Sequence, residues 1–193
     1  VTLIAPPGKL AILYAPNPIA PAYSGDITLG TTPFDVVVKG NYAYVVDGSD
    51  NRLDIVDISN ANAPSLESTL TGGRGFGVAI EGNHAYVIDN DADELKVVDV
   101  TSATAPFIVS TMPIGDPSDI FVQDDYAFIV NRDADNLSLV NIADPAAPFI
   151  GGEIGGFSDP FRVFAQGNYA YVTDVDDESL EVVDVSNAFF PAT

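Results

Sequence analysis

Apolar and polar residues alternate along this chain in short runs, each closed by Gly, Asn, Asp or Pro. Residues 34–39 (Phe-Asp-Val-Val-Val-Lys) meet a Gly40-Asn41 pair and give way to residues 42–47 (Tyr-Ala-Tyr-Val-Val-Asp). That is the pattern of two strands joined by a tight turn. Residues 53–58 and 65–70 continue the two-residue period, so one unit predicts four strands, from an innermost 34–39 to an outermost 65–70. No stretch carries a 3.6-residue period long enough for a helix.

The unit recurs. Asn41-Tyr42-Ala43-Tyr44-Val45-Val46-Asp47 returns as Asn83-His84-Ala85-Tyr86-Val87-Ile88-Asp89 and as Asp125-Tyr126-Ala127-Phe128-Ile129-Val130-Asn131. It returns again as Asn168-Tyr169-Ala170-Tyr171-Val172-Thr173-Asp174, and the copies stand 42, 42 and 43 residues apart. Each is followed by a second motif at residues 53–59, 95–101, 137–143 or 180–186, then by a turn ending in Pro64, Pro106, Pro148 or Pro191. The second half occurs once more at the start, as Leu10-Ala11-Ile12-Leu13-Tyr14 ahead of Pro21. Four strands in about 42 residues are the unit of a β-propeller blade, and a short-coiled solenoid fits that count poorly. The expectation is one all-β propeller domain over residues 1–193: a half blade 1–29, then four-stranded blades 30–71, 72–113, 114–156 and 157–193.

The block Leu53-Asp54-Ile55-Val56-Asp57-Ile58-Ser59, repeated as Leu95-Lys96-Val97-Val98-Asp99-Val100-Thr101 and Leu180-Glu181-Val182-Val183-Asp184-Val185-Ser186, resembles the LVIVD repeat. That family is found in bacterial and archaeal surface or secreted proteins. The resemblance runs from Leu10 to Pro191 and implies a β-propeller, but no shared reaction, because the family is a scaffold. Asn141 and Tyr14 stand where the motif's Asp is expected.

Composition narrows the partners. With 47% apolar residues the chain is too hydrophobic to be disordered, yet no apolar run approaches the ~20 residues of a membrane span. Seven basic against 28 acidic residues leave a charge of −21, which repels phosphate backbones and anionic membranes. There is no cysteine, so disulfide, thiolate and zinc–thiolate chemistry is excluded. The acidity, the three lysines, the Gly/Asn/Thr-rich loops and an opening at Val1 without a leader pattern set the expectation of an extracellular or cell-surface protein.

The candidate chemistry is acidic. The loops between second and third strands place Asp89, Asp91 and Asp93, then Asp133 and Asp135, then Asp174 and Asp176, at the alternating spacing that can converge on Ca²⁺. The first of them opens like an EF-hand but carries Glu94 at the turn-glycine position and Val100 at that of the distal glutamate. The same residues also suit plain hairpin loops. Asp57, Asp99 and Asp184, each two residues before Ser or Thr, read as turn-builders. His84, the single histidine, falls where the other units hold Tyr42, Tyr126 and Tyr169, so it reads as an aromatic stand-in. At the start of the innermost strands Asp35, Gly77, Asp119 and Arg162 occupy equivalent places. Asp35, Asp119 and Arg162 are therefore candidates for a ligand or cation in the central channel, or for a self-satisfied ion pair. Gly73-Arg74-Gly75-Phe76-Gly77 joins two strands rather than opening a helix, which removes the phosphate-loop reading. Asn136-Leu137-Ser138 is a lone glycosylation triplet.

The half blade leaves the ring unfinished. Val1, Thr2, Leu3 and Ile4 form a spare strand-like segment that would read as an outermost strand if it followed Pro191-Ala192-Thr193. With Leu10, Ile12, Pro191 and Thr193 these residues are the candidate assembly edge, since an unpaired strand edge invites another strand. Three resolutions stand open: a longer chain with more blades, closure in cis, or pairing with a neighbouring copy, which by repetition gives a filament. The functional expectation is a non-enzymatic scaffold whose partner is itself or another surface protein. The alternatives are a ligand-binding or adhesive module of a larger surface protein, or a metal-dependent hydrolase or lyase working at Asp35 and Asp119.

Overall fold

The computed structural model describes residues 2–4, 9–14, 22–187 and 191–192, with 2–4, 13 and 14 described by backbone alone. It contains strands and no helix among these residues. The first sheet is three-stranded, in the order β1 (Thr2–Ile4), β2 (Lys9–Tyr14), β3 (Ala22–Thr28). Blade 1 runs β4 (Pro33–Lys39), β5 (Tyr42–Asp47), β6 (Arg52–Asp57), β7 (Ser65–Thr71). Blade 2 follows as β8 (Gly77–Glu81), β9 (His84–Asp89), β10 (Glu94–Asp99), β11 (Phe107–Pro113). Blade 3 is β12 (Pro117–Gln123), β13 (Tyr126–Asn131), β14 (Asn136–Asn141), β15 (Phe149–Gly155). Blade 4 contributes β16 (Pro160–Gln166), β17 (Tyr169–Asp174) and β18 (Ser179–Asp184), and Asp184 also bridges Ala192 antiparallel. Every pairing is between sequence neighbours and antiparallel, as a meander of hairpins requires.

The stacking of the blades follows from strand geometry. Side chains alternate between the two faces of a sheet, and here both faces are apolar, so each blade needs a neighbour on either side. Tyr44, Val46, Leu53 and Ile55 form the forward face of blade 1 and pack on the rear face of blade 2, made by Val78, Ala85, Val87 and Val98. Blade 2 repeats this with Tyr86, Ile88, Leu95 and Val97 on Ile120, Ala127, Ile129 and Val140 of blade 3. Blade 3 presents Phe128, Val130, Leu137 and Leu139 to Val163, Ala170, Val172 and Val183 of blade 4. The first sheet joins the series through Leu10, which packs on Ala43, Val45 and Val56 of blade 1. Each fully buried Leu or Val contributes roughly 1.5–3 kcal/mol, so these faces dominate the stability.

Two further devices hold the stack. At the outer rim, Ser68 Oγ donates to Ala103 O (2.5 Å) and Ser110 Oγ to Pro145 O (2.7 Å), each reaching from an outermost strand to the next blade. Near the axis, bulges between Pro33 and Asp35 and between Pro117 and Asp119 re-aim the two carboxylates. Asp35 Oδ2 then accepts from Val78 N–H (2.9 Å), and Asp119 Oδ2 from Val163 N–H (2.8 Å). Gly77, at the equivalent place in blade 2, has no side chain to form this latch; a Cβ there would already lie 3.1 Å from Ile88 Cδ1.

The structure corrects the expectation for the first residues. Thr2–Ile4 does not serve as an outermost strand of blade 4: it pairs with β2, Leu3 opposite Ile12, as a second strand pairs with a third. Leu10 and Ile12 consequently lie in a middle strand with both neighbours present, and both are buried rather than at an assembly edge. Val1 and Thr193 fall outside the described residues.

Gly75 tests the closeness of the stack. A Cβ at this buried position would sit 2.8 Å from Val46 Cγ1 and also press on Val87, one residue from each of two facing blades. Gly75→Ala is expected to lower unfolding stability by about 1–3 kcal/mol through overpacking, read from the midpoint of a urea titration.

Candidate functional site

The recurring carboxylates are spent on the backbone. Asp57, Asp99 and Asp184 accept from the N–H two residues on, at Ser59 (2.7 Å), Thr101 (2.8 Å) and Ser186 (2.9 Å), which bends the chain out of the third strand. Asn141 makes the same bond to Ala143 N–H (3.2 Å), so the departure from the motif keeps its geometry. His84 sits opposite Asp99 in the β9–β10 ladder, where a tyrosine stands in blades 1, 3 and 4.

The acidic loops divide into two kinds of residue. Asp47, Asp89 and Asp174, with Asn131, end the second strands and are buried. Asp47 accepts from Thr32, Ser49 and Asp50 N–H (2.9–3.0 Å), and Asp174 accepts from Ser158, Asp159 and Asp177 N–H (2.6–3.3 Å). Each carboxylate thus ties its own loop to the segment that enters the blade. Burial pushes the Asp174 carboxyl up, but its N–H donors outweigh that and hold it below the usual carboxylate range. The others serve the turn: Asn51, Asp93, Asp135 and Glu178 all take a left-handed conformation (φ 49–54°), which Asn and Asp tolerate better than most side chains. Asp91 pairs with the Arg74 guanidinium, and Asp133 and Asp176 are exposed. Among the described residues no three His, Cys, Asp or Glu side chains come together as a metal cluster. The calcium ligands expected at Asp89, Asp91, Asp93, Asp133, Asp135, Asp174 and Asp176 are therefore not assembled, because the buried ones already face inward to N–H groups or lysine.

The rear face of each blade carries a small buried polar network. In blade 2, Lys96 Nζ lies 2.6 Å from Asp89 Oδ2 and donates also to Arg74 O (3.3 Å). Burial pushes Asp89 up, yet the Lys96 ammonium and the Ala92 and Asp91 N–H groups prevail and keep it below the ordinary range. Blade 1 uses Asp54, which accepts from Thr69 Oγ1 (2.7 Å) and lies 3.1 Å from Arg52 Nε; here burial wins and the carboxyl is pushed up. Blade 3 is uncharged at its centre, with Asn131 Nδ2 donating to Ser138 Oγ (2.9 Å) and Ser138 Oγ donating to Glu153 Oε1 (2.9 Å).

The channel candidates split across two interfaces. Asp35 belongs to the blade 1–2 latch, whereas Asp119 and Arg162 meet between blades 3 and 4, with Arg162 Nη1 3.2 Å from Asp119 Oδ1. Burial raises Asp119 despite the Val163 N–H and the guanidinium. Arg162 and Arg132 both lie over the Phe161 ring (5.0 and 5.7 Å), and Arg132 grips Asp159 with two bonds (2.6 and 3.1 Å). The bonds are those of a clamp between blades.

Two equivalent crevices open on one rim, of about 570 Å³ between blades 3 and 4 and about 290 Å³ between blades 1 and 2. The larger is lined by Tyr126, Phe128, Asn168 and Ser186 with Asp124 and Asp125, and neither lining contains histidine or cysteine. Paired catalytic groups are not found in either.

The most unusual surface is the forward face of blade 4. Leu180 is 61% exposed and Val182 45%, while their counterparts Leu53, Leu95, Leu137, Ile55, Val97 and Leu139 are all at 0%. Phe164 is 51% exposed beside them in β16. Sequence reasoning missed these residues because they match the buried members of the repeat. The available signal was positional, since a last blade in a stack has nothing in front of it.

A stack of four-stranded meander blades with apolar faces and axial latches defines a β-propeller built from repeats, here in open form. The LVIVD repeat model matches residues 33–71, 72–112, 114–154 and 161–192, and the chain belongs to the LVIVD repeat family. No curated protein matches it in sequence. Solved structures share the fold at low identity. A protein of unknown function from Desulfotomaculum acetoxidans is 17% identical, with a TM-score of 0.79 over 95% of this chain and 61% of that one. The periplasmic gluconolactonase of Pseudomonas aeruginosa is 14% identical, with a TM-score of 0.79 over 98% of this chain and 63% of its own. A protein from Lactobacillus plantarum is 14% identical, with a TM-score of 0.78 over 98% and 65%. The chain thus spans less than two thirds of the length of these structures.

Asp89 and Lys96 allow a direct check. Asp89→Asn leaves the nearly inaccessible Lys96 ammonium without its counter-charge, with an expected loss of about 3 kcal/mol or more at pH 7. The double variant Asp89→Asn with Lys96→Met is expected to recover most of it in chemical denaturation. Because the folded carboxyl titrates below its unfolded value, its stabilisation is present above the ordinary aspartate range and is lost as pH falls through the folded pKa. The gap between wild type and Asp89→Asn should therefore close in acid. Thermal melts with and without chelator should coincide, since no described carboxylate cluster waits for calcium.

Proposed function

We propose that this protein is a non-enzymatic scaffold outside the cell, which assembles head to tail with copies of itself into a filament. The observation that carries the reading is the exposed forward face of blade 4, made of residues that the rest of the chain buries completely. A surface cluster of Leu, Val and Phe in the most conserved-looking part of the repeat forgoes on the order of 5 kcal/mol of burial, enough to drive association. The non-enzymatic part draws support from the two channel carboxylates, Asp35 and Asp119, both engaged by backbone N–H groups of the following blade. The extracellular part draws support from the charge of −21, which suits a saline or calcium-rich exterior.

One observation favours a second reading. The chain spans 61–65% of the similar solved structures, so it also fits a segment of a larger propeller that serves as an adhesive or ligand-binding module. Absolute mass by light scattering across a dilution series separates the two. Open-ended growth with concentration is the result expected of the scaffold; a single monomer mass at every concentration would overturn assembly and select the module.

A further inference from the structure

The three interfaces inside the chain have one construction: the forward face of a blade, rich in Leu, Ile and aromatic residues, covers the rear face of the next, made of Ala and Val around a polar network. The forward face of blade 4 is uncovered, and the first sheet carries a rear face of the same design. Its registers match those of blade 1: Lys9 stands opposite Thr28 as Arg52 stands opposite Thr71, and Ala11 opposite Asp26 as Asp54 opposite Thr69. The polar network is present too, with Lys9 Nζ 2.8 Å from Asp26 Oδ2 and Tyr23 Oη bonded to the other carboxylate oxygen. Acid and neutral partner have merely changed strands. This ion pair is 50% and 30% exposed, whereas Arg52 and Asp54, beneath a covering face, are 27% and 1%.

From this we infer that the forward face of blade 4 docks on the rear face of the first sheet of a second copy, with Leu180, Val182 and Phe164 over the Lys9–Asp26 pair. The inference rests on the self-assembly reading and specifies its joint. The contact is a fourth instance of the blade-to-blade interface rather than a strand exchange at the edge of β18. It is heterologous, because the two surfaces are different and lie at opposite ends of the stack, so each added copy presents a fresh face.

The test uses two full-length variants altered at exposed positions. Leu180→Glu puts a charge on the forward face and leaves the first sheet intact. Lys9→Glu removes the cation beside Asp26, so that covering the sheet would bury like charges, and leaves blade 4 intact. Circular dichroism and melting of both should match wild type. Each variant alone is expected at one monomer mass where wild type assembles, and an equimolar mixture at two monomer masses and no more, since one intact joint remains. Assembly of Leu180→Glu at wild-type levels would overturn the inference while sparing the scaffold reading. A mixture that stays monomeric would show that the first sheet is not the partner of blade 4. Wild type monomeric at every concentration would overturn the joint together with assembly, and would assign the open face to another protein or a further blade.

Discussion

Everything in this structure depends on a sheet that is apolar on both sides. A blade of four short strands cannot bury its own faces, so it is stable only between two others. The repeat encodes the solution twice over. Alternate residues of β5 and β6 point forward, those between them point back, and the same set returns every 42 or 43 residues. Turns, latches and rim bonds refine a stack that the faces have already specified.

Polar groups enter this apolar system at a few fixed places, and each is satisfied locally. The Asp that ends a second strand gathers the N–H groups of its own loop and of the segment before the blade. The Asp that ends a third strand bends the chain toward the next turn. Asp35 and Asp119 reach one blade further. An unmade bond to a buried N–H would cost about 1–3 kcal/mol, so an acidic chain gains rigidity from residues that look in sequence like a supply of free charge.

The fold was legible for physical reasons, and so was its limit. Period-two runs closed by Gly-Asn, Asp and Pro gave the strands of blades 1 to 3 nearly to their ends, because turn chemistry is local. The Asx geometry at Asp57, Asp99 and Asp184 was equally local and equally readable. What the sequence concealed was long-range. The partners of Asp174 lie 15 and 16 residues upstream, and those of Asp35 and Asp119 stand 43 and 44 residues downstream, so the loops read as cation ligands and the axial residues as a site. Thr2–Ile4 was recognisable as a strand, but its pairing with β2 rather than beyond Ala192 is a tertiary choice. Leu180 is chemically identical to Leu53, Leu95 and Leu137, and only its neighbourhood distinguishes it.

The buried networks differ from blade to blade: Asp54 with Arg52 and Thr69, Asp89 with Lys96, Asn131 with Ser138 and Glu153. In every case the partners belong to one blade, and what crosses to the neighbour is mainly hydrocarbon. A blade therefore travels with its own counter-charges. Copying, deleting or reordering such units by recombination requires no matching change next door, which makes blade number an easily varied trait rather than a fixed property of the fold.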